Sequence, residues 1–315
     1  MFAYIVKRIV YLVPVVLGVS FIIFGIMAMT PGDPALMMLG DGATPEAVAH
    51  LNEEMGFDKP FLVRYFIYLK NAMTGDFGRS YMTKLPVFDE ISVRLGYTVR
   101  LAFYSTLIAV VIGIPIGIIS AVKQYSVIDT TVLGFSLLLT SMPGFFLGLL
   151  LIIVFTIRLG WLPMIGMDSF AAHIMPCVAS SSATLAALLR MTRSTMLEVI
   201  RQDYIRTARA KGAKENRVIY RHALRNSLLP VITVIGINFG ISLGGSIVVE
   251  QLFAVPGIGQ FMINGIRQKD TPVVMASVMF AAVLASLVNL LVDLVYVYVD
   301  PRLKTQFAIR KRIKA

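Results

Sequence analysis

The sequence predicts an all-α, polytopic membrane protein with six transmembrane helices, a helical extracytoplasmic cap after the first helix, and a helical cytoplasmic loop between helices four and five. Three observations carry this prediction. The chain of 315 residues is 57% hydrophobic with a mean hydropathy of +0.77, which is more apolar side chain than a soluble core uses. Six apolar runs reach or approach the length that crosses a bilayer. The basic residues gather in the loops on one side of these runs.

The six apolar runs contain no Asp, Glu, Lys, Arg or His. An ionised residue at the bilayer centre costs about 2.5 to 3.5 kcal/mol on insertion scales, so charge-free runs are what lipid-facing helices require. Pro143 and Gly144 inside the third run predict a kinked or broken helix. The first run is longer than the usual signal-peptide core of about 7 to 15 residues, so we interpret it as a retained span. The runs lie at approximately 9–29, 101–122, 130–157, 174–189, 229–249 and 273–292.

Charges counted on alternate sides of the six runs predict the orientation of the chain. One side, formed by residues 1–8, the turn near Lys123, residues 190–228 and the chain from Asp293 onward, has 19 basic and 6 acidic residues, or +13. The other side has 10 basic and 12 acidic residues, or −2, which completes the net charge of +11. We therefore expect both termini in the cytoplasm. The net positive charge is therefore explained by the orientation of the chain in the membrane. It is no evidence that the protein binds nucleic acid.

The first loop on the outer side is too long for a simple connection and is predicted to fold into a small cap. "TPEAVAHLNEEMGF" begins with Thr44 as a helix N-cap and Pro45 at the first helical position, and it ends near Gly56. A second helical pattern, "KPFLVRYFIYLKNAM", stops at "TGDFG". The sequence leaves open whether the cap covers helix ends or contacts a partner directly. The predicted organisation is an N-terminal segment with the first helix at 1–29, the cap loop at 30–97, a five-helix core at 98–299 and a basic cytoplasmic tail at 300–315.

The apolar runs offer no recognisable reaction chemistry. The sequence has no HExxH zinc pair, no GxSxG nucleophile elbow and no GxxxxGK[ST] phosphate loop, and its single cysteine, Cys177, excludes an intrachain disulfide or a cysteine-based metal cluster. We predict no catalytic and no metal-binding residue. Small and hydroxylated residues in the runs, among them Ser180, Ser181 and Asn238, fit either close helix packing or the lining of a pathway.

The cytoplasmic loop at 190–228 combines a high density of basic residues with two helical patterns. The first pattern runs from Thr195 to Lys211, Gly212 interrupts it, and a second pattern continues to Pro230. This predicts a helix, a short break and a second helix. Two roles fit: basic flanks near anionic headgroups, and a tip of small residues that another protein can approach closely. The apolar positions are Leu197, Ile200, Tyr204 and Ala208 in the first pattern, and Val218, Ile219 and Leu224 in the second.

The stretch "DYIRTARAKGAKENRVIYRHALRNSLLP" resembles the cytoplasmic EAA loop of permease subunits in bacterial ABC importers that depend on a substrate-binding protein. More narrowly, the chain resembles the B-type permease of the dipeptide and oligopeptide (peptide/nickel) family. The resemblance extends over nearly the whole chain, through "TPGDPA", "GFDKPF", "GDFGRS", "RMTRSTMLEV", "VVEQLFAVPGIGQ" and "NLLVDLVYVYVDPRL". Arg206 and Thr207 stand where the general loop pattern has Glu and its first Ala, whereas Ala208 and Gly212 fit it.

The resemblance implies a complex of a second homologous permease, two cytoplasmic ATPases and an extracytoplasmic substrate-binding protein in the bacterial inner membrane. This chain would form half of the pathway for di- or oligopeptides, with glutathione or chelated nickel as alternative cargo. ATP and magnesium would bind in the ATPase subunits, and the chain itself would hold no cofactor and would not be an enzyme. A membrane enzyme and a passive channel are the rival classes; the runs lack the catalytic groups of the first and the charged ring or carbonyl filter of the second. The residues implied to lie at or beside the ATPase-coupling helix are Arg206, Thr207, Ala208, Arg209, Ala210, Lys211 and Gly212.

A second candidate site is the turn "FAVPGIGQF" between the last two runs, on the predicted outer side. It combines apolar residues, expected to be exposed in a connection, with Gly and Pro. We expect this turn and the cap to line the dock of the binding protein or an outer gate. The residues concerned are Phe253, Val255, Pro256, Gly257 and Ile258.

Overall fold

Every regular element in the described part of the chain is helical, as predicted. The computed structural model describes residues 2–30, 32–40, 42–244 and 246–299, and the predicted basic tail at 300–315 lies outside these residues. The first helices are α1 (Phe2–Met29), α2 (Pro34–Leu39), α3 (Pro45–Met55), α4 (Phe61–Met73), α5 (Val87–Val122), α6 (Val127–Ser141) and α7 (Gly144–Leu151), which a π-helical segment, Ile152–Arg158, continues. They are followed by α8 (Phe170–Ile200), α9 (Asp203–Ala210), α10 (Glu215–Arg217), the π-helical segment Val218–Ala223, α11 (Leu224–Leu243), α12 (Ile247–Leu252), α13 (Ile258–Arg267) and α14 (Thr271–Val299).

Five helices in the described residues are long and apolar enough to cross a membrane, and a bent pair gives a sixth crossing if it counts as one span. The bent pair joins Val127–Ser141 to Gly144–Arg158 at an angle of 99°. The break falls at Pro143, whose missing N–H removes a helical hydrogen bond, so the predicted break in the third run is confirmed. The five single spans are Val10–Met29, Val87–Val122, Phe170–Ile200, Glu215–Leu243 and Thr271–Val292.

Two helix ends differ from the ends of the apolar runs. Helix α5 begins at Val87, well before the apolar run starts at residue 101, because Asp89 and Glu90 in its first turn suit a helix N-terminus although they are polar. The fifth apolar run continues to residue 249, but α11 ends at Leu243, and Ile247 begins a separate helix. In both places hydropathy marks the apolar stretch and not the end of the helix.

The chain divides into two compact units, and the first comprises residues 1–99 and 243–286. Its cap helices follow the predicted signals: Thr44 Oγ1 accepts a hydrogen bond from the Ala47 N–H at 3.3 Å, and Gly56 ends α3 with φ of 69°. Helix α4 packs on α1 through Tyr65, whose buried hydroxyl donates to the Leu17 carbonyl at 3.0 Å. The cap is therefore folded against the first span and is not a loose loop.

Among the described residues, the second unit comprises 100–242 and 287–299, and α8 is its most buried span. Small residues let neighbouring helices approach α8 closely. A Cβ on Gly117 of α5 would lie 2.8 Å from the Leu189 carbonyl oxygen of α8, and one on Gly144 of α7 would lie 3.0 Å from the Ala179 carbonyl oxygen. Helix α8 therefore holds α5 and α7 in direct backbone proximity within this unit.

Candidate functional site

The loop between α8 and α11 contains a break that the sequence pattern did not reveal. Helix α8 ends at Ile200, and Gln202 adopts an extended conformation (φ −71°, ψ 148°) before α9 begins at Asp203. The predicted continuous pattern from Thr195 to Lys211 is therefore two helices. The available signal was Asp203, an acidic residue that is favourable in the first turn of a helix.

This break changes which residue of α9 is buried. The sequence pattern placed Tyr204 on the apolar face, but its side chain is 45% exposed, whereas Ile205 is fully buried. The spacing of apolar residues in α8 does not predict which side of α9 is buried, because the turn at 201–202 interrupts the helix and changes the direction in which the following side chains point. Ile205 packs in a group that we call the seat cluster, which comprises Ile118, Ala121, Met196, Ile205, Val218, Ile219 and Ala223. Its members Val218 and Ile219 were correctly predicted as apolar positions.

The predicted interruption at Gly212 is confirmed as a helix C-cap. Gly212 has φ of +77°, its N–H donates to the Arg209 carbonyl at 2.9 Å, and the Ala213 N–H donates to the Ala208 carbonyl at 3.2 Å. This pair of hydrogen bonds is a Schellman motif, in which glycine supplies the left-handed residue. Ala208 and Ala213 both pack against the seat cluster, which completes the motif.

The tip of the loop is exposed and basic. Of the residues predicted at or beside the coupling helix, only Ala208 is half-buried; those exposed are Arg206, Thr207, Arg209, Ala210, Lys211 and Gly212. Across the turn, the Arg209 guanidinium donates to both carboxylate oxygens of Glu215, at 2.6 and 3.1 Å. Exposed ion pairs contribute about 1 kcal/mol or less, so this pair orders the turn without fixing it strongly. The loop thus presents the short helix α9, which is anchored by the buried side chain of Ile205 and is exposed on the side away from the seat cluster.

The turn at 253–258 differs from its predicted exposure. Phe253, Val255, Gly257 and Ile258 are buried and Pro256 is half-buried, so the expectation of exposed apolar side chains was wrong. Ile258 packs in a core with Val87 and Val273. These residues stabilise the first unit, and their role at a dock or gate remains a prediction.

A buried carboxylate that the sequence interpretation missed organises this turn. Glu250 Oε1 accepts a hydrogen bond from Thr98 Oγ1 at 3.0 Å, and Oε2 accepts one from the Gln260 N–H at 2.9 Å. Thr98 Oγ1 in turn accepts the Ile258 N–H at 2.9 Å. Burial raises the pKa of the Glu250 carboxyl, although these hydrogen bonds oppose the shift. The signal in the sequence was an acid placed directly after an apolar run.

Gly257→Ala should lower the thermal stability of the purified protein. The added Cβ would lie 2.5 Å from the carboxylate of Glu250, which Thr98 and Gln260 hold in place. Overpacking of this kind costs about 1 to 3 kcal/mol. Gly96→Ala is the matched control, since its Cβ meets no atom within 4 Å. Equal melting temperatures in detergent for the two variants would show that the carboxylate does not constrain position 257.

The predicted pathway residues Ser181 and Asn238 make hydrogen bonds to different partners. Ser181 is buried, and its hydroxyl donates to the Val178 carbonyl at 2.9 Å. Asn238 donates to the Val234 carbonyl at 2.8 Å and accepts from Thr184 Oγ1 at 3.4 Å, a contact between α11 and α8. Ser180, also on α8, is half-buried. Helix packing accounts for the contacts of Ser181 and Asn238, and pathway lining stays a prediction.

The regular elements of the described residues are all helical, and several of them are long and apolar enough to cross a membrane, which defines a multi-pass helical membrane protein. Residues 113–305 match the family described as "binding-protein-dependent transport system inner membrane component", and residues 1–102 match the N-terminal family of the same membrane components. The chain belongs to this family and is a permease subunit of an ABC importer.

Relatives match along almost the entire chain. The dipeptide transport system permease protein DppB of Alkalihalophilus pseudofirmus is 39% identical over 332 residues, which cover 96% of this chain and 100% of that protein. The oligopeptide transport system permease protein AppB of Bacillus subtilis is 41% identical over 315 residues, with the same coverage. The glutathione transport system permease protein GsiC of Escherichia coli K12 is 38% identical over 304 residues, which cover 96% of this chain and 99% of that protein.

The solved structures add support for the fold. An inward-facing form of the MetNI methionine ABC transporter superposes with a TM-score of 0.54 and 22% sequence identity. The match covers 67% of this chain and 96% of that chain. At this identity the likeness concerns the fold alone.

Proposed function

We propose that the chain forms half of the translocation pathway of an importer for di- or oligopeptides in a bacterial inner membrane. The observation that carries this proposal is the identity of 39% and 41% to permeases named for dipeptide and oligopeptide transport, each over 96% of the chain. Glutathione is the second candidate cargo, because a glutathione permease is 38% identical over the same share of the chain. All three names describe peptide-like solutes, which favours a pathway for short peptides.

The partners in this proposal are a second homologous permease, two cytoplasmic ATPases and an extracytoplasmic binding protein. Orientation follows from charge: the side carrying +13, which includes the α9 tip and both termini, lies in the cytoplasm. The tip then faces the ATPases, which bind ATP and magnesium. The absence of a GxxxxGK[ST] phosphate loop from the sequence supports this division of labour.

The reconstituted complex tests the cargo. Proteoliposomes carrying both permeases and both ATPases are supplied with the binding protein and with labelled dipeptide or glutathione. We expect ATP-dependent accumulation of dipeptide above its external concentration. Accumulation of glutathione without dipeptide would select the second candidate, and accumulation of neither, with ATP hydrolysis intact, would contradict a peptide-like cargo.

The chain by itself should neither hydrolyse ATP nor accumulate solute. The physical reason is the missing phosphate loop, without which the chain has no recognisable cradle for nucleotide phosphates. The measurement is phosphate release by the purified chain, compared with the assembled complex as the positive control. Robust hydrolysis by the isolated chain, free of contaminating ATPase, would contradict the proposed division of labour.

A further inference from the structure

One buried carboxylate joins three helices of the second unit, α5, α6 and α8. Asp129, in the first turn of α6, accepts hydrogen bonds from Arg193 Nε at 2.6 Å and Arg193 Nη2 at 2.7 Å. It also accepts from Ser120 Oγ of α5 at 2.5 Å and from the Tyr125 N–H of the α5–α6 turn at 2.9 Å. We call Ser120, Tyr125, Asp129 and Arg193 the Asp129 clamp.

The clamp is built to hold protein and not a ligand. The two carboxylate oxygens of Asp129 accept four hydrogen bonds from the protein, which fills the usual capacity of a carboxylate. Its side chain is 3% exposed and that of Arg193 is 18% exposed. A two-pronged arginine–carboxylate contact fixes direction as well as distance. The pair therefore sets the orientation of α6 relative to α8.

The clamp lies beside the seat cluster that holds α9. Ser120 stands between Ile118 and Ala121 on α5, and both flanking residues belong to the seat cluster. On α8, Met196 of the seat cluster follows Arg193 by three residues, which is nearly one helical turn. The same two helices therefore contribute residues both to the seat cluster around Ile205 of α9 and to the clamp around Asp129 of α6.

We infer that Asp129 and Arg193 are positioning residues that make α6 follow displacements of α9. The inference rests on the proposed function, in which the ATPases act on the α9 tip. Helix α6 leads directly into the 99° bend at 142–143, so a displacement passed to α6 reaches the broken span. Loss of the clamp should leave α9 seated and hydrolysis active while uncoupling hydrolysis from transport.

The test is the number of solute molecules imported per ATP hydrolysed by the reconstituted complex. Removing one partner of a buried ion pair leaves the other charge buried without a partner. The principal variant is therefore the double change Asp129→Asn with Arg193→Gln. It removes both charges and keeps hydrogen-bonding groups of similar size. We expect the ratio to fall about fivefold or more, the lower end of typical coupling effects. The matched control is Asp168→Asn with Arg267→Gln, which makes the same two chemical changes at exposed positions outside the clamp, the seat cluster and the cap, and it should give a wild-type ratio.

A wild-type ratio in the assembled double variant would overturn the inference. If the double variant does not assemble, Arg193→Lys decides, because it keeps the charge and loses the two-pronged contact. A reduced ratio in that variant supports the inference, and a wild-type ratio overturns it. Failure of the wild-type complex to import any peptide would count against the proposed function and not against the clamp.

Discussion

Gly212→Asp should reduce ATP-driven uptake by about tenfold while leaving the amount of chain in the membrane unchanged. The left-handed conformation at this position, with φ of +77°, costs an ordinary L-residue about 1 to 2 kcal/mol. Within the chain, a Cβ at position 212 meets no atom within 4 Å. A steric clash of this Cβ would therefore have to come from a partner that closes on the tip. Uptake by the assembled complex, normalised to permease abundance, measures the effect.

Gly160→Asp is the control for backbone strain. Gly160 has φ of +66° and equally open space around its Cβ, but it lies outside the α9 loop. Both variants impose a left-handed aspartate, so a difference between them isolates contact at the tip. Wild-type uptake by the Gly212 variant, or an equal loss in both variants, would show that Gly212 only ends a helix.

Ile205→Ala should uncouple the complex by releasing α9 from its seat. Ile205 is fully buried in the seat cluster, and removing such a side chain costs about 2 to 5 kcal/mol. Helix α9 has only 8 residues, which is too short to be stable without tertiary contacts. We expect faster tryptic cleavage after Arg206 and Arg209, together with a loss of substrate-stimulated hydrolysis of about tenfold or more.

The neighbouring substitution Tyr204→Ala is the matched control for Ile205. It removes a larger side chain from the adjacent position of the same helix, but that side chain is 45% exposed. We expect cleavage and hydrolysis close to those of the wild type. A larger effect at Tyr204 than at Ile205 would contradict the burial pattern of α9.

Local signals in the sequence were sufficient wherever the structure depends on local chemistry. Thr44 and Gly56 bound α3, Pro143 breaks the third span and Gly212 caps α9, as their residue types predict. Each demand is local: a side-chain acceptor at Thr44, a missing donor at Pro143, and a left-handed residue at Gly56 and Gly212. The membrane class could be predicted from composition for a similar reason. Each span must by itself be long enough to cross the bilayer and free of charged residues.

Features that depend on pairing across the chain were not predictable. Asp129 and Arg193 are 64 residues apart, and Glu250 meets Thr98 across 152 residues, so no local pattern marks either pair. The seat of α9 was missed because a turn at 201–202 reset the helical phase. The turn at 253–258 was expected to be exposed because Gly and Pro are typical of surface loops, yet Gly257 in the turn and Gly259 just after it make room for the buried carboxylate of Glu250.

Site-specific crosslinking at the α9 tip tests the central claim most directly. A photo-reactive residue at Ala210, which is exposed, is placed in the assembled complex and irradiated with and without ATP. The same residue at His50 of the cap, whose side chain is 81% exposed, serves as the control, because the charge distribution predicts that the cap is extracytoplasmic. We predict that Ala210 captures an ATPase subunit with a yield that depends on nucleotide, and that His50 captures none. An active complex in which Ala210 captures no ATPase would contradict coupling through this loop.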